Sequence, residues 1–192
     1  MIKDKARSGY GLKMKILILT ILMSFFNSAS AVDIGEHAPD FELQTMEGDS
    51  FKLSDHIGKK PVYLVFWATW CPICKAEIPN VKTIHQQLSD RITILAINVG
   101  QEDSVNKIKK YREDNQLPYQ LAFDEGSKIS RRYGVIGTPW QVIIDVNGKI
   151  QYRSSRTPIN MEQHLDKLNF LDKRNEGQVL SLAILKKVRK AY

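Results

Sequence analysis

From Val32 onward the spacing of apolar positions alternates between strand and helix periods. Phe41-Glu42-Leu43-Gln44 and Ser50-Phe51-Lys52-Leu53 alternate around the turn-like Met46-Glu47-Gly48-Asp49, which predicts a hairpin. Pro61 then introduces Val62 to Trp67, a continuous apolar and β-branched run that fits a central strand buried on both faces of a sheet. After it, Ile78, Val81, Ile84 and Leu88 recur at helical spacing, with Pro79 expected to kink the helix rather than abolish it. Ile92 to Ile97 predicts a second buried strand. Ser104 is placed to cap a helix carrying Val105, Ile108 and Tyr111 on one face. Tyr119 to Phe123 reads as a third strand and Gly126 to Tyr133 as a short helix. Gln141 to Asp145 and Lys149 to Arg153 flank Val146-Asn147-Gly148, where Asn-Gly is a strong hairpin signal. A helix from about Asn160 to Leu171 closes the pattern. Strands alternating with helices in this order predict an α/β fold, a mixed central sheet with helices on both faces and an extra N-terminal hairpin.

The two ends follow other patterns. A basic stretch ending at Met14-Lys15 precedes an apolar run from Ile16 to Phe26 and the small residues Ala29-Ser30-Ala31. That is the plan of a signal peptide, and the run is short of the roughly 20 residues a membrane span needs. Two outcomes stay open: cleavage after Ala31, or retention as an anchor tethering the domain to the outer face of the inner membrane. Both export the domain to the periplasm. Met14-Lys15 can itself begin such a signal, which leaves the true start open. Beyond the domain, Gln178 to Tyr192 forms a short basic amphipathic stretch with Val179, Leu182, Leu185 and Val188 every third residue. The expected organisation is a leader over 1–31, one domain over 32–171 and a basic extension over 172–192.

Charge changes the picture little. The formal net charge is +7, but Lys3, Lys5, Arg7, Lys13 and Lys15 against Asp4 place +4 of it in the leader. No stripe of Lys and Arg interleaved with aromatic residues occurs in the domain, so a nucleic-acid partner is not expected.

The candidate chemistry is in Trp67-Ala68-Thr69-Trp70-Cys71-Pro72-Ile73-Cys74-Lys75, where the chain's two cysteines lie at the junction of a predicted strand and a predicted helix. A thiolate at a helix N-terminus faces unpaired N–H groups and the positive end of the dipole, which lowers its pKa from about 8.5. Cys71 is therefore the expected exposed nucleophile. Cys74, one turn further in, is placed to resolve a mixed disulfide. Pro72 suits the first helical turn, where its missing N–H costs nothing. A zinc site lacks a second cysteine pair, and His37, His56, His85 and His164 are scattered. Covalent haem attachment needs His after the second cysteine, and the residue is Lys75. A purely structural disulfide closing so short a loop stabilises little.

These motifs, with Ala38-Pro39-Asp40-Phe41, Cys74-Lys75-Ala76-Glu77-Ile78-Pro79 and Gly134-Val135-Ile136-Gly137-Thr138-Pro139, resemble the exported thioredoxin-like proteins of the TlpA/ResA/DsbE group from about Ala38 to Leu171. The resemblance implies a thioredoxin-like fold and disulfide exchange with other exported proteins, commonly as a reductant and sometimes on apocytochrome c thiols. It implies that Pro139 is a cis-proline beside the sulfurs, with Thr138 leaving its backbone free for a substrate strand. Without the cysteine pair, Pro139 reads as the start of an edge strand. Glu77 matches an acid that in some relatives lies near the buried sulfur and accepts its proton; the alternative is a solvated acid favouring the helix N-terminus. Partner contact is expected at Trp70, Pro72, Ile73, Thr138 and Trp140. Two departures stand out. The Val62 to Phe66 strand lacks the buried acid that thioredoxins themselves carry before the cysteines, and Trp140 replaces the acid that often follows the cis-proline in the cytochrome-maturation branch.

The leading expectation is a monomeric thiol-disulfide oxidoreductase without metal or organic cofactor, acting on disulfide-bearing exported proteins and recharged by an inner-membrane thiol donor. A disulfide-forming oxidant of the same fold, a thioredoxin-fold binding or chaperone module, and a peroxidase are the alternatives.

Overall fold

A computed structural model describes residues 32–168. The leader, the end of the closing helix and the basic C-terminal stretch lie outside the described residues.

The hairpin near the N-terminus pairs β1 (Glu42–Gln44) with β2 (Ser50–Lys52) antiparallel, Leu43 opposite Phe51, as a separate two-stranded sheet. Among the described residues the main sheet has five strands: β3 (Val62–Trp67), β4 (Thr93–Asn98), β5 (Gln120–Phe123), β6 (Trp140–Ile144) and β7 (Ile150–Ser154). Their order is β5-β4-β3-β6-β7. β4 runs parallel to both β3 and β5, whereas β6 is antiparallel to β3 and β7. β3 is central, as its unbroken apolar run predicts, and all six of its residues are buried.

Successive side chains of a strand point to opposite faces, and β3 shows what covers each. Trp67 meets Tyr111 of the helix Val105–Asn115 (α2) at 5.2 Å between ring centroids. Phe66 meets Tyr133, which follows the short helix Lys128–Arg132 (α3), at 5.6 Å. Helices therefore cover both faces. Tyr133 also joins the hairpin to the sheet, since Phe41 packs edge-on against it at 5.9 Å and its hydroxyl donates to the Pro39 carbonyl at 2.8 Å.

The helix Pro72–Leu88 (α1) runs continuously through Pro79 and buries Cys74, Val81, Ile84 and Leu88. Ser104 caps α2 by accepting from the Lys107 N–H. On that helix Ile108 is buried, but Val105 is exposed; it lies in the first turn, at the edge of the buried stripe. The final helical segment, 161–168, buries Met161, Leu165 and Leu168.

The β6–β7 hairpin forms where Asn147-Gly148 predicts it, but not with a two-residue turn. The Gly148 N–H donates to the Asp145 carbonyl, Gly148 alone in the turn has positive φ (80°), and the register shifts at Ile143/Ile144. This is a four-residue turn with Asp first and Gly last, followed by a bulge. The Asp145 carboxylate stabilises it by accepting from the N–H groups of Asn147 and Lys149.

After β4 the chain passes close under the β5 end. Gly100 has φ +74° and an added Cβ would lie 2.2 Å from the Asp124 carbonyl oxygen. We expect Gly100→Ala to cost about 3 kcal/mol of unfolding free energy through combined backbone strain and overlap. Urea denaturation of the two proteins checks this, and an unchanged midpoint contradicts it.

Candidate active site

Strand pairing assembles the site. β3 delivers the chain to Cys71 at its C-terminal end, and β6 runs antiparallel with Trp140 opposite Phe66. The residue before Trp140 is thereby brought to the strand–helix junction. That residue is Pro139, and the Thr138–Pro139 bond is cis, as the family resemblance implies. Cys71 and Cys74 form a disulfide with 5.2 Å between their Cα atoms.

Cys71 is the N-cap of α1, and its Sγ accepts from the Cys74 N–H at 3.1 Å. The same sulfur lies 3.5 Å from the Thr138 carbonyl oxygen. Pro72 occupies the first helical turn. The two cysteines are not distinguished by exposure, at 3% for Cys71 and 6% for Cys74. The exposed nucleophile expected from the sequence is thus closed in while the disulfide stands. What separates the sulfurs is their surroundings. Cys71 lies against Thr138 on the rim, whereas Cys74 lines a small apolar cavity with Val65, Trp67, Glu77, Val81 and Pro139. The rim itself is apolar and open: Trp70 is 49%, Ile73 61% and Ile136 93% exposed. Trp140 is half-buried, with the Arg153 guanidinium 5.1 Å above its ring.

Glu77 shares the cavity lining with Cys74 and is only partly exposed. It is not simply a solvated acid of the first helical turns. Its Oε2 accepts from the Thr157 hydroxyl and from the Asn80 amide at 3.1 Å. Thr157 accepts in turn from Gln141 Nε2 at 3.0 Å, and Gln141 Oε1 accepts from the Tyr63 hydroxyl. Tyr63 and Gln141 are fully buried. Burial pushes the Tyr63 phenol far above its ordinary range, so it stays a donor and all the bonds of the chain run one way, towards Glu77. Bonds aligned in this manner polarise one another. β3 thus carries a polar group after all, a tyrosine hydroxyl rather than an acid, two strand positions from Val65 and linked to the helix carboxylate through β6 and the 157 loop.

A second set of polar contacts holds the other flank. The Asp103 carboxylate accepts from the Thr69 N–H at 2.9 Å, from the Thr69 hydroxyl, and from the buried Asn98 amide at 2.7 Å. The Trp70 indole N–H donates to the Gln101 carbonyl at 2.8 Å. Arg153 donates to the carbonyls of Tyr133 and Gly134, at the start of the loop that ends in Pro139.

The structure therefore gathers Cys71, Cys74, Glu77, Thr138 and Pro139 around the disulfide, with Trp70, Pro72 and Ile73 beside it and Trp140 behind Pro139. Tyr63, Gln141, Thr157, Asp103, Asn98 and Arg153 escaped sequence reading. The only signals were a polar Gln in the buried β6 run and a polar Asn at the end of β4.

The chain matches a model of the AhpC/TSA family over residues 34–153. It is 35% identical over 152 residues to the thiol-disulfide oxidoreductase ResA of Geobacillus thermodenitrificans, covering 78% of this chain and 86% of that protein. It is 34% identical over 135 residues to the thioredoxin-like protein YneN of Bacillus subtilis, covering 69% and 78%. Among solved structures, it resembles a putative thiol:disulfide interchange protein DsbE from Chlorobium tepidum with a TM-score of 0.59 and 29% identity, covering 73% of this chain and 97% of that one. The exposed lipoprotein thioredoxin Etrx1 of Streptococcus pneumoniae aligns with a TM-score of 0.60 and 30% identity, over 67% and 99%.

Replacing Gln141 by Leu strands the Tyr63 hydroxyl without an acceptor in the core, at an expected cost of about 2 kcal/mol. Adding Tyr63→Phe should recover part of that loss, so that the double variant is less destabilised than the two single changes summed. Urea denaturation of the three variants reads the coupling, and strict additivity refutes the chain of hydrogen bonds.

Proposed function

The chain belongs to the AhpC/TSA family and has a thioredoxin-like fold, and from that premise we propose that it is an exported thiol-disulfide oxidoreductase working as a reductant. The observation that carries the reading is the Cys71–Cys74 disulfide at a helix N-terminus, with the carbonyl before cis-Pro139 beside Cys71.

In the reductive direction the Cys71 thiolate attacks a partner disulfide, forming a Cys71–partner disulfide and releasing one partner thiolate. The Cys74 thiol gives up its proton and attacks the Cys71 sulfur. The second partner thiolate leaves, so the partner gains two electrons and the Cys71–Cys74 disulfide forms. Glu77, held by Thr157 and Asn80, is the carboxylate that lines the same cavity as Cys74 and serves as acceptor of the proton. The rim of Trp70, Pro72, Ile73, Thr138 and Trp140 meets the partner. The sulfur pair supplies the redox chemistry itself, so the reading calls for no metal or organic cofactor.

The leader pattern over 1–31 supports export to the periplasm, free or tethered to the inner membrane, where a membrane thiol donor restores the dithiol to a monomeric domain. Disulfide-bearing exported proteins are the partners, an apocytochrome c disulfide whose reduction yields the free thiols among them.

The test is the equilibrium reduction potential of the pair in the purified protein, titrated against dithiothreitol and glutathione buffers. A value near about −270 mV or lower supports a reductant, and one near about −120 mV makes it a disulfide-forming oxidant. Peroxide turnover that proceeds without the Cys71–Cys74 disulfide overturns the assignment altogether.

A further inference from the structure

The loop between β4 and α2 is hydrogen-bonded to the segment before Cys71. Its carboxylate, Asp103, receives three hydrogen bonds, two of them from Thr69. Its carbonyl at Gln101 receives the Trp70 indole N–H. Thr69 and Trp70 are the two middle residues of the turn in which the Cys71 N–H donates to the Ala68 carbonyl at 3.3 Å. The loop holds these contacts with one residue in an unfavourable backbone state: Glu102 has φ +55°, a left-handed conformation that residues with a Cβ rarely adopt. Such strain persists only where surrounding contacts over-determine it, and it clusters at working sites. Here the surroundings are visible. Asn98 is fully buried, accepts from the Gly100 N–H at 3.0 Å and donates to Asp103 at 2.7 Å, fixing both ends of the loop to the end of β4.

We propose that Asp103 is a positioning residue for the nucleophile, gripping Thr69 from the β4–α2 loop and so setting where Cys71 and the Trp70 rim stand relative to an incoming disulfide. The proposal rests on the reading that Cys71 is the attacking sulfur. The contact geometry also says what Asp103 does not supply. Oδ2 accepts from the Thr69 N–H and the Asn98 amide, while Oδ1 meets only the Thr69 hydroxyl. An asparagine with its oxygen in the Oδ2 place keeps the first two bonds. Its amide donates to the Thr69 hydroxyl, which is acceptor as well as donor. Asp103→Asn therefore preserves the grip without the charge, whereas Asp103→Ala removes it.

The experiment uses the reduced full chain and follows alkylation by iodoacetamide at fixed pH, with the modified cysteine assigned by peptide mass spectrometry. Asp103→Ala should slow alkylation of Cys71 about tenfold, within the roughly hundredfold that a displacement of about 1 Å of a reacting group can cost. Asp103→Asn should stay within about twofold of the parent, and Thr69→Val, which loses only the hydroxyl contact, should fall between the two. The Asp103→Ala/Thr69→Val double variant should be no slower than Asp103→Ala alone, because the one contact that Thr69→Val removes is among the three that Asp103→Ala removes. If Asp103→Ala does not fold, the ranking of Thr69→Val against Asp103→Asn still decides. Parent-like rates in both Asp103→Ala and Thr69→Val overturn the positioning role while leaving Cys71 as nucleophile. Asp103→Asn as slow as Asp103→Ala does the same. Fast alkylation that maps to Cys74 in the parent overturns the Cys71 reading and this inference together.

Discussion

Strand β3 is paired on both edges and buried on both faces, and the position of every group at the site follows from that double constraint. Parallel pairing with β4 puts Asn98 beside Trp67, so the loop leaving β4 starts level with the loop that leads to Cys71. Antiparallel pairing with β6 puts Trp140 beside Phe66, so Pro139 arrives at the same level from the other side. A one-residue slip in either register would turn the alternate side chains of that strand to the wrong face. The apolar interior resists such a slip, since Leu64, Phe66, Leu95, Ile97, Val142 and Ile143 are all wholly buried. The redox geometry is thus held by hydrophobic packing far larger in energy than any hydrogen bond at the sulfurs.

Much of this was legible in the sequence because its signals are local. An unbroken apolar run marks β3, a Ser before an amphipathic stretch marks the α2 cap, and the pair Cys71–Cys74 between a strand and a helix marks the chemistry. Pro139 became legible only through the family resemblance, because cis geometry depends on tertiary surroundings that no local pattern encodes. The turn at Asn147-Gly148 was recognised as a hairpin but not by type, since Asp145 reaches across it to bond two later N–H groups and fixes a longer turn. The exposure of Cys71 was misread. Helix position announces chemical character, while accessibility depends also on the 134–139 loop, whose Thr138 carbonyl comes to the Cys71 sulfur from far along the chain.

The polar contacts are the part that sequence conceals, for a physical reason. Asp103, Thr157 and Gln141 each act on a residue dozens of positions away, and each has an ordinary local explanation: an acid before a helix, a hydroxyl in a loop, a polar residue in a strand. Their meaning appears only when the sheet register brings the partners together. The absence of an acid on β3 reads in the sequence as a missing part. In the structure Tyr63, Gln141 and Thr157 form a directed chain that ends at Glu77 on the helix.

Placing the carboxylate on the helix rather than on the central strand has a structural consequence. An acid on a central strand is held by the sheet itself, whereas Glu77 stands on the same helix as the sulfur whose cavity it lines and needs an anchor outside that helix. Thr157, from the segment after β7, supplies the anchor on one flank, and Asp103, from the loop after β4, holds Thr69 on the other. Both anchors belong to loops at the sheet's ends rather than to the strand–helix unit bearing Cys71 and Cys74. The cysteine motif and the groups that orient it therefore occupy separate stretches of chain. Substitutions in those loops can alter the placement of Thr69 or Glu77 while leaving the cysteine motif, the fold and the hydrophobic core intact.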